Sequence, residues 1–206
     1  VPSVLRTPVR LTAGVRPLIQ FPSTTTGLTM KAIHIFFITS SILVSGCAYN
    51  TSPYGASVAN VTKIKAANIK AVSVATFTST KPGNSTITCR AAGPVTVKPS
   101  FEEYIKNAFV DELKLSSAYD PNSKIEISGK LESVDFSSGM TNGNWSITLT
   151  VANNKSQSFT TNSTYPFSGS FVADKACQEV AQAFSPAVQK LIEDVVSNPQ
   201  FATLAN

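Results

Sequence analysis

Trp145-Ser146-Ile147-Thr148-Leu149-Thr150-Val151 sets an apolar side chain at each odd position and a hydroxyl at each even one. A period of two is that of a β-strand, so this stretch buries one face and wets the other. Upstream, Ile125, Ile127 and Leu131 alternate with Glu126 and Lys130 in the same way, and Gly129 within that run is read as a bulge. Between the two runs, Gly139-Met140-Thr141-Asn142-Gly143 is a hairpin loop. Downstream, Asn153-Asn154-Lys155 is a tight turn, because asparagine tolerates the left-handed backbone. A strand from Phe159 to about Phe171 returns, and the three strands make one antiparallel meander.

Helices flank the meander. Pro99-Ser100-Phe101-Glu102-Glu103 is a helix start, with Ser100 as N-cap and Glu103 at the third helical position, the spacing of a capping box. Phe101, Tyr104, Ile105, Ala108, Phe109 and Leu113 then recur at three and four, giving one apolar face, and Tyr119-Asp120-Pro121-Asn122 ends the segment. A last helix starts with Asp174 as its cap and runs to about Ser197. Its stripe from Cys177 through Phe184 to Val196 keeps phase across Pro186, which predicts a kink and not an end. Ahead of these, the β-branched run Ala71 to Phe77 is a first strand, and Lys81 to Pro94 is a loop or short irregular hairpin. The order β-α-β-β-β-α predicts an α+β fold. It is a two-layer sandwich: a mainly antiparallel sheet of about four strands, two amphipathic helices on one face, and serines and threonines on the other.

A second stretch tells where the chain goes. Met30 to Cys47 has a basic Lys31, an apolar run from Ala32 to Val44, and the close Val44-Ser45-Gly46-Cys47. Thirteen apolar-run residues are too few to cross a bilayer, which needs about 20. The pattern is that of a cleaved signal, and its end resembles a bacterial lipobox. The resemblance implies that residues 30–46 are a signal peptide and that Cys47 is lipidated and becomes the mature amino terminus. More than one acyl chain makes a lasting anchor. Ala48 is not the aspartate that favours inner-membrane retention in such proteins, so the expectation is an outer-membrane protein facing the periplasm. Residues 1–29 hold Arg6, Arg10 and Arg16 and no acid, and are read as an upstream extension foreign to the native protein. Residues 47–68 are read as a flexible tether, and residues 69–206 as the periplasmic domain.

Charge follows the same division. The net +5 includes four basic residues ahead of Cys47, so thirteen basic face twelve acidic residues after it. No clustered basic balance is left for a nucleic-acid partner. All acids lie at or after Glu102, which makes the front of the mature part, from Lys63 to Lys98, locally positive and suited to anionic headgroups.

Two cysteines follow Cys47. Cys89 and Cys177 form an even pair, read most simply as a disulfide in an oxidising compartment; the alternative is a buried thiol at Cys177 and an unrelated loop thiol at Cys89. The only histidine, His34, precedes Cys47, so nothing downstream supplies a Ser-His-Asp or Cys-His nucleophile or the usual zinc set. No glycine-rich phosphate loop follows a strand. Glu126, Glu132 and Asp135 are the carboxylates available for acid-base work, and on the wet side of a strand they read as solvated. The expectation is a protein that is not an enzyme and has no cofactor or metal.

With the lipobox, the Pro99-Ser100 start and Tyr165-Pro166-Phe167-Ser168-Gly169-Ser170-Phe171, the chain from about Val95 to Phe201 resembles the YajG-type lipoproteins of Gram-negative bacteria. In that family a Pro-Ser pair opens the first helix, and a Tyr-x-x-x-Gly-x-Phe strand precedes a long final helix. The resemblance implies structural roles for Tyr165, Gly169 and Phe171, the glycine permitting a bulge and the aromatics filling the core. Cys89 and Cys177 are not part of the family pattern. The family brings an architecture without an established activity. The expected role is an accessory that is held on the membrane by its lipid and docks an envelope protein through its sheet face or edge. The alternative is a small or lipid ligand between helices and sheet, with Phe101, Phe109, Phe136, Trp145, Phe167 and Phe184 as its lining.

Overall fold

A computed structural model describes residues 48–206 of the protein. The readings made for residues 1–29, for residues 30–46 and for Cys47 lie outside the described residues. In chain order the elements are β1 (Tyr49–Asn50), α1 (Val58–Ala66), β2 (Ser73–Val74), β3 (Thr78–Ser79), β4 (Thr86–Cys89), β5 (Gly93–Thr96) and α2 (Phe101–Leu115). They continue with β6 (Glu126–Ser138), β7 (Asn142–Asn153), β8 (Ser158–Ser168), α3 (Ala173–Ser197) and α4 (Pro199–Leu204).

The fold is α+β. The expected meander is present, with β7 antiparallel to β6 on one side and to β8 on the other. Two short strands, β2 and β3, pair parallel with β6 and complete the main sheet. A second sheet of order β1-β5-β4 uses the irregular hairpin between Lys81 and Pro94.

Alternation along β7 decides which face is inside. Trp145, Ile147, Leu149 and Val151 are all buried, while Ser146, Thr148 and Thr150 are not. Helices α2 and α3 both cover that inner face: Phe101 of α2 and Phe184 of α3 stand with their ring centres 6.5 and 4.9 Å from Trp145. The indole also donates to the Val180 carbonyl at 2.9 Å, so its one polar atom is satisfied in the core. Helix α3 runs through Pro186 without a break, as its stripe predicts. Its cap is Val172, with no side-chain bond, and not Asp174, because Asp174 lies one residue inside and accepts from the Tyr49 hydroxyl at 2.6 Å.

The main departure is the stretch read as a tether. Residues 49–66 carry β1, which pairs parallel with β5, and α1, whose N-cap Ser57 accepts from Asn60 N. Four β-branched residues make α1 a weak helix on propensity alone. Its position comes from Glu112, a fully buried carboxylate on α2 whose Oε1 accepts from the Tyr54 hydroxyl at 2.6 Å and Ser57 N at 2.7 Å. Asn60, also buried, donates to Glu112 Oε1 at 3.4 Å and to the Gln189 carbonyl at 2.9 Å. The Tyr104 hydroxyl and Gln189 Nε2 bond the Ser52 and Gly55 carbonyls. Polar side chains of α2 and α3 thus fasten this segment together with Ile64, which is buried in the core.

The bulge is also displaced. The β6–β7 register shifts between Leu131 and Ser133, which places the extra residue at Glu132, not at Gly129. Gly129 is small for a different reason: a Cβ there would stand 2.5 Å from the ring of Phe77, which lies across the strand.

Candidate functional site

β8 ends the main sheet. It pairs with β7 from Ser158 to Ser168, and no described residue bonds to its far side. A proline fits a ladder only where its missing N–H faces away from the partner strand, so Pro166 turns that side outward. Outward backbone groups recur every second residue, which assigns Ser158, Thr160, Asn162 and Thr164 to the open edge. Their side chains are exposed on the outer face, while Phe159, Thr161 and Ser163 are buried beneath.

The outer face is polar and held in place by its own bonds. Thr148 Oγ1 donates to Asn162 Oδ1 at 2.9 Å, the Thr150 and Thr160 hydroxyls lie 2.9 Å apart, and Ser137 bonds Asn144 at 2.5 Å. Such cross-strand pairs fix rotamers, so the face and its edge are pre-organised and mostly uncharged.

A cleft of about 380 Å³ opens between β3, β4 and the bulged part of β6. Ile87, Phe101, Leu131 and Val134 form its apolar part, and Lys81, Glu132 and Asp135 lie at its rim. Glu132 pairs with Lys130 at 2.8 Å and accepts from Thr150 at 3.1 Å, and the Lys130 bond holds its carboxyl below the usual range. Asp135 accepts from the Phe136 backbone at 2.8 Å. A carboxylate kept charged by a lysine is suited to a salt bridge and not to proton donation. Glu126, the third carboxylate of the sequence reading, is exposed at the start of β6. Among the described residues no three metal-ligating side chains converge.

Cys89 and Cys177 are bonded, with S–S 2.08 Å and Cα atoms 5.8 Å apart, tying the β4–β5 hairpin to the first turns of α3. Next to it, Arg90 Nη2 donates to the Ser138 and Gly139 carbonyls at 2.7 and 3.0 Å, which fastens the β6–β7 tip to the same hairpin. Gly169 N donates to the Thr141 carbonyl at 2.9 Å, bringing the β8–α3 connection onto that tip.

Ser100 caps α2 as read, accepting from Glu103 N at 3.3 Å, while the Glu103 carboxylate turns to Lys106 at 3.3 Å. Tyr165 is half-buried against the core. Gly169 is not a bulge residue; it is where two loops touch, and a Cβ would run into the Asn142 nitrogen at 2.7 Å. Phe171 does not fill the core. It is 80% exposed, because the strand ends at Ser168 and the alternation that would have carried it inward stops there. The expected aromatic lining is packed on itself: Phe101, Trp145 and Phe184 are fully buried in mutual contact, and Phe109 faces Phe201 at 6.1 Å. Sequence reading missed Arg90, Glu112 and the exposed Met140-Phe171-Val172 group. Only the last leaves a signal, apolar residues set among glycines and serines in two loops.

No family model matches the chain, and no curated protein matches it. Among solved structures it is similar to a Xanthomonas campestris protein described as family-model DUF330. The two share 10% identity over 76% of this chain and 96% of the other, with a TM-score of 0.47. A likeness of that degree says nothing about activity.

Proposed function

We propose that this chain is a YajG-type envelope lipoprotein, anchored at the outer membrane through Cys47, which holds a partner protein against the open edge of its main sheet without catalysing a reaction. The observation that carries the reading is β8: eleven residues long, on the rim of the sheet, with no described residue bonded to the backbone of its far side. An edge of that length is a template for an added strand, in which main-chain bonds give affinity and alternate side chains give selectivity. The neutral hydroxyl and amide groups of Thr160, Asn162 and Thr164 cost little to desolvate beside such a strand, compared with the charges that commonly guard exposed edges.

The ligand alternative has less support, since the rings proposed to line a cavity occupy the space between helices and sheet themselves. The anchor reading is tested by the intact mass of membrane-extracted protein, which is to start at an acylated Cys47; a free thiol there contradicts it. Docking is tested by whether a photocrosslinker at position 162 captures one envelope protein stoichiometrically. Recovery of the chain alone contradicts it.

A further inference from the structure

Three of the large apolar side chains left exposed among the described residues gather at one end of the fold. Met140 is 64% exposed at the β6–β7 tip, and Phe171 and Val172 are 80% and 60% exposed in the β8–α3 connection. The Gly169–Thr141 bond joins these two loops, and Arg90 and the Cys89–Cys177 bond brace them from the small sheet. Residues 139–142 and 168–173 contain no charged side chain. The result is a stiff, uncharged apolar knob.

The chain enters the fold at the same end. β1 runs parallel to β5 in the register Tyr49 to Val95 and Asn50 to Thr96, so the chain ahead of Tyr49 runs back towards Gly93 and the Arg90 turn. The Tyr49 hydroxyl bonds Asp174, three residues after Phe171. Cys47 is two residues from Tyr49, and two trans peptide units span at most about 7.6 Å. That leaves too little chain for a spacer between a lipid on Cys47 and this end of the domain.

We propose that the Met140-Phe171-Val172 knob seats in the interfacial layer of the bilayer that carries the anchor, fixing the domain end-on with the β8 edge lying along the membrane normal. The inference rests on the lipid-anchor reading. Its physical basis is that apolar side chains held within reach of a lipid anchor partition into the acyl boundary, and the two loops that carry them are uncharged, the first exposed charges being Asp174 and Lys175 at the start of α3, which stay at headgroup level. The turn at Lys155 then points away, because β7 spans twelve residues, or about 40 Å, between the two ends.

The test is a Phe171→Trp chain, extracted from membranes and reconstituted in vesicles of phosphatidylethanolamine and phosphatidylglycerol with brominated acyl chains. Trp145 is fully buried and gives a constant background. The expected result is emission at position 171 that is quenched by bromine and shielded from aqueous iodide, and the reverse for Lys155→Trp. Emission at 171 that stays open to iodide on vesicle-bound protein overturns the proposal. So does shielding from iodide without bromine quenching in these same vesicles, which would mean that protein and not acyl chain covers position 171. The anchor is read separately from the mass of Cys47, and a Cys47→Ser, Phe171→Trp chain at high lipid reads the knob without it. In the Cys47→Ser chain, Met140→Ser with Phe171→Ser is to weaken vesicle partition about tenfold or more; unchanged partition contradicts the proposal even where the anchor stands.

Discussion

Tyr54 donates its phenolic proton to Glu112 over 2.6 Å, although the two residues lie 58 positions apart. One carboxylate oxygen thereby gathers residues 54–60 onto α2 and, through Asn60, onto α3. Tyr54→Phe keeps the ring against Tyr104 and removes the bond, so it should cost about 1–3 kcal/mol. The larger change, Glu112→Ala, should release the segment from β1 to α1 with the main sheet intact. Amide exchange checks both: protection is to fall in residues 58–66 and persist in β6 to β8.

The same bond gives a pH dependence. Burial first, and then the Glu112 carboxylate, hold the Tyr54 phenol in its neutral form, raising its pKa above the value near 10 that it has in the unfolded chain. A raised folded pKa contributes stability that is complete below the unfolded value and fades as pH rises past it. Wild type should therefore exceed Tyr54→Phe in stability by a constant margin up to about pH 9, with the margin shrinking above pH 10. A margin that grows in alkali would place the phenolate, and not the phenol, in the fold.

Gly129→Ala is a compact test of the inner face. The added Cβ meets the Phe77 ring, which is buried between β6 and α2 and stands 6.3 Å from Phe109. Overpacking of this kind costs typically about 1–3 kcal/mol. Gly55→Ala, with nothing near its Cβ, should be neutral by comparison. Equal denaturation midpoints for the two variants would refute the close approach.

Removing the Cys89–Cys177 link frees a loop of 88 residues in the unfolded chain, and Cys89→Ala with Cys177→Ala should lower stability by about 2–5 kcal/mol. The loss should be accompanied by faster amide exchange at the β6–β7 tip, because Arg90 loses its fixed hairpin. Chemical denaturation and exchange together check it; an unchanged tip would uncouple the disulfide from the knob.

Much of this was legible where one physical cause dominates. The alternation of Trp145 to Val151, the Ser100 cap and the α3 stripe each follow from burial or backbone satisfaction alone, and the structure has them as read. The Cys89–Cys177 pairing was also readable, with one alternative left open, because two cysteines after Cys47 give a single intramolecular pairing. What was not legible depends on distant partners. Nothing in Val58 to Ala66 announces a helix; it is held by partners far along the chain, Glu112 and Gln189 through hydrogen bonds and the core through Ile64. Gly129 carries no sign of the Phe77 ring that requires it, and Phe171 looks inward by strand parity until the strand stops three residues earlier. The open side of β8 was foreseen only as a general property of edges, since which strand ends the sheet is set by pairing order.

The most direct measurement is photocrosslinking at position 162 in living cells, in the wild-type background and beside Thr160→Pro. Thr160 is of the parity that turns its backbone outward, so this proline removes an edge donor without breaking a backbone bond to β7, at the loss of the hydroxyl contact with Thr150. Edge docking predicts one envelope protein crosslinked at 162 in the wild type, and its loss in Thr160→Pro at nearly unchanged melting temperature. No crosslinked partner, or one captured equally with the proline in place, would contradict the claim that β8 is the docking edge.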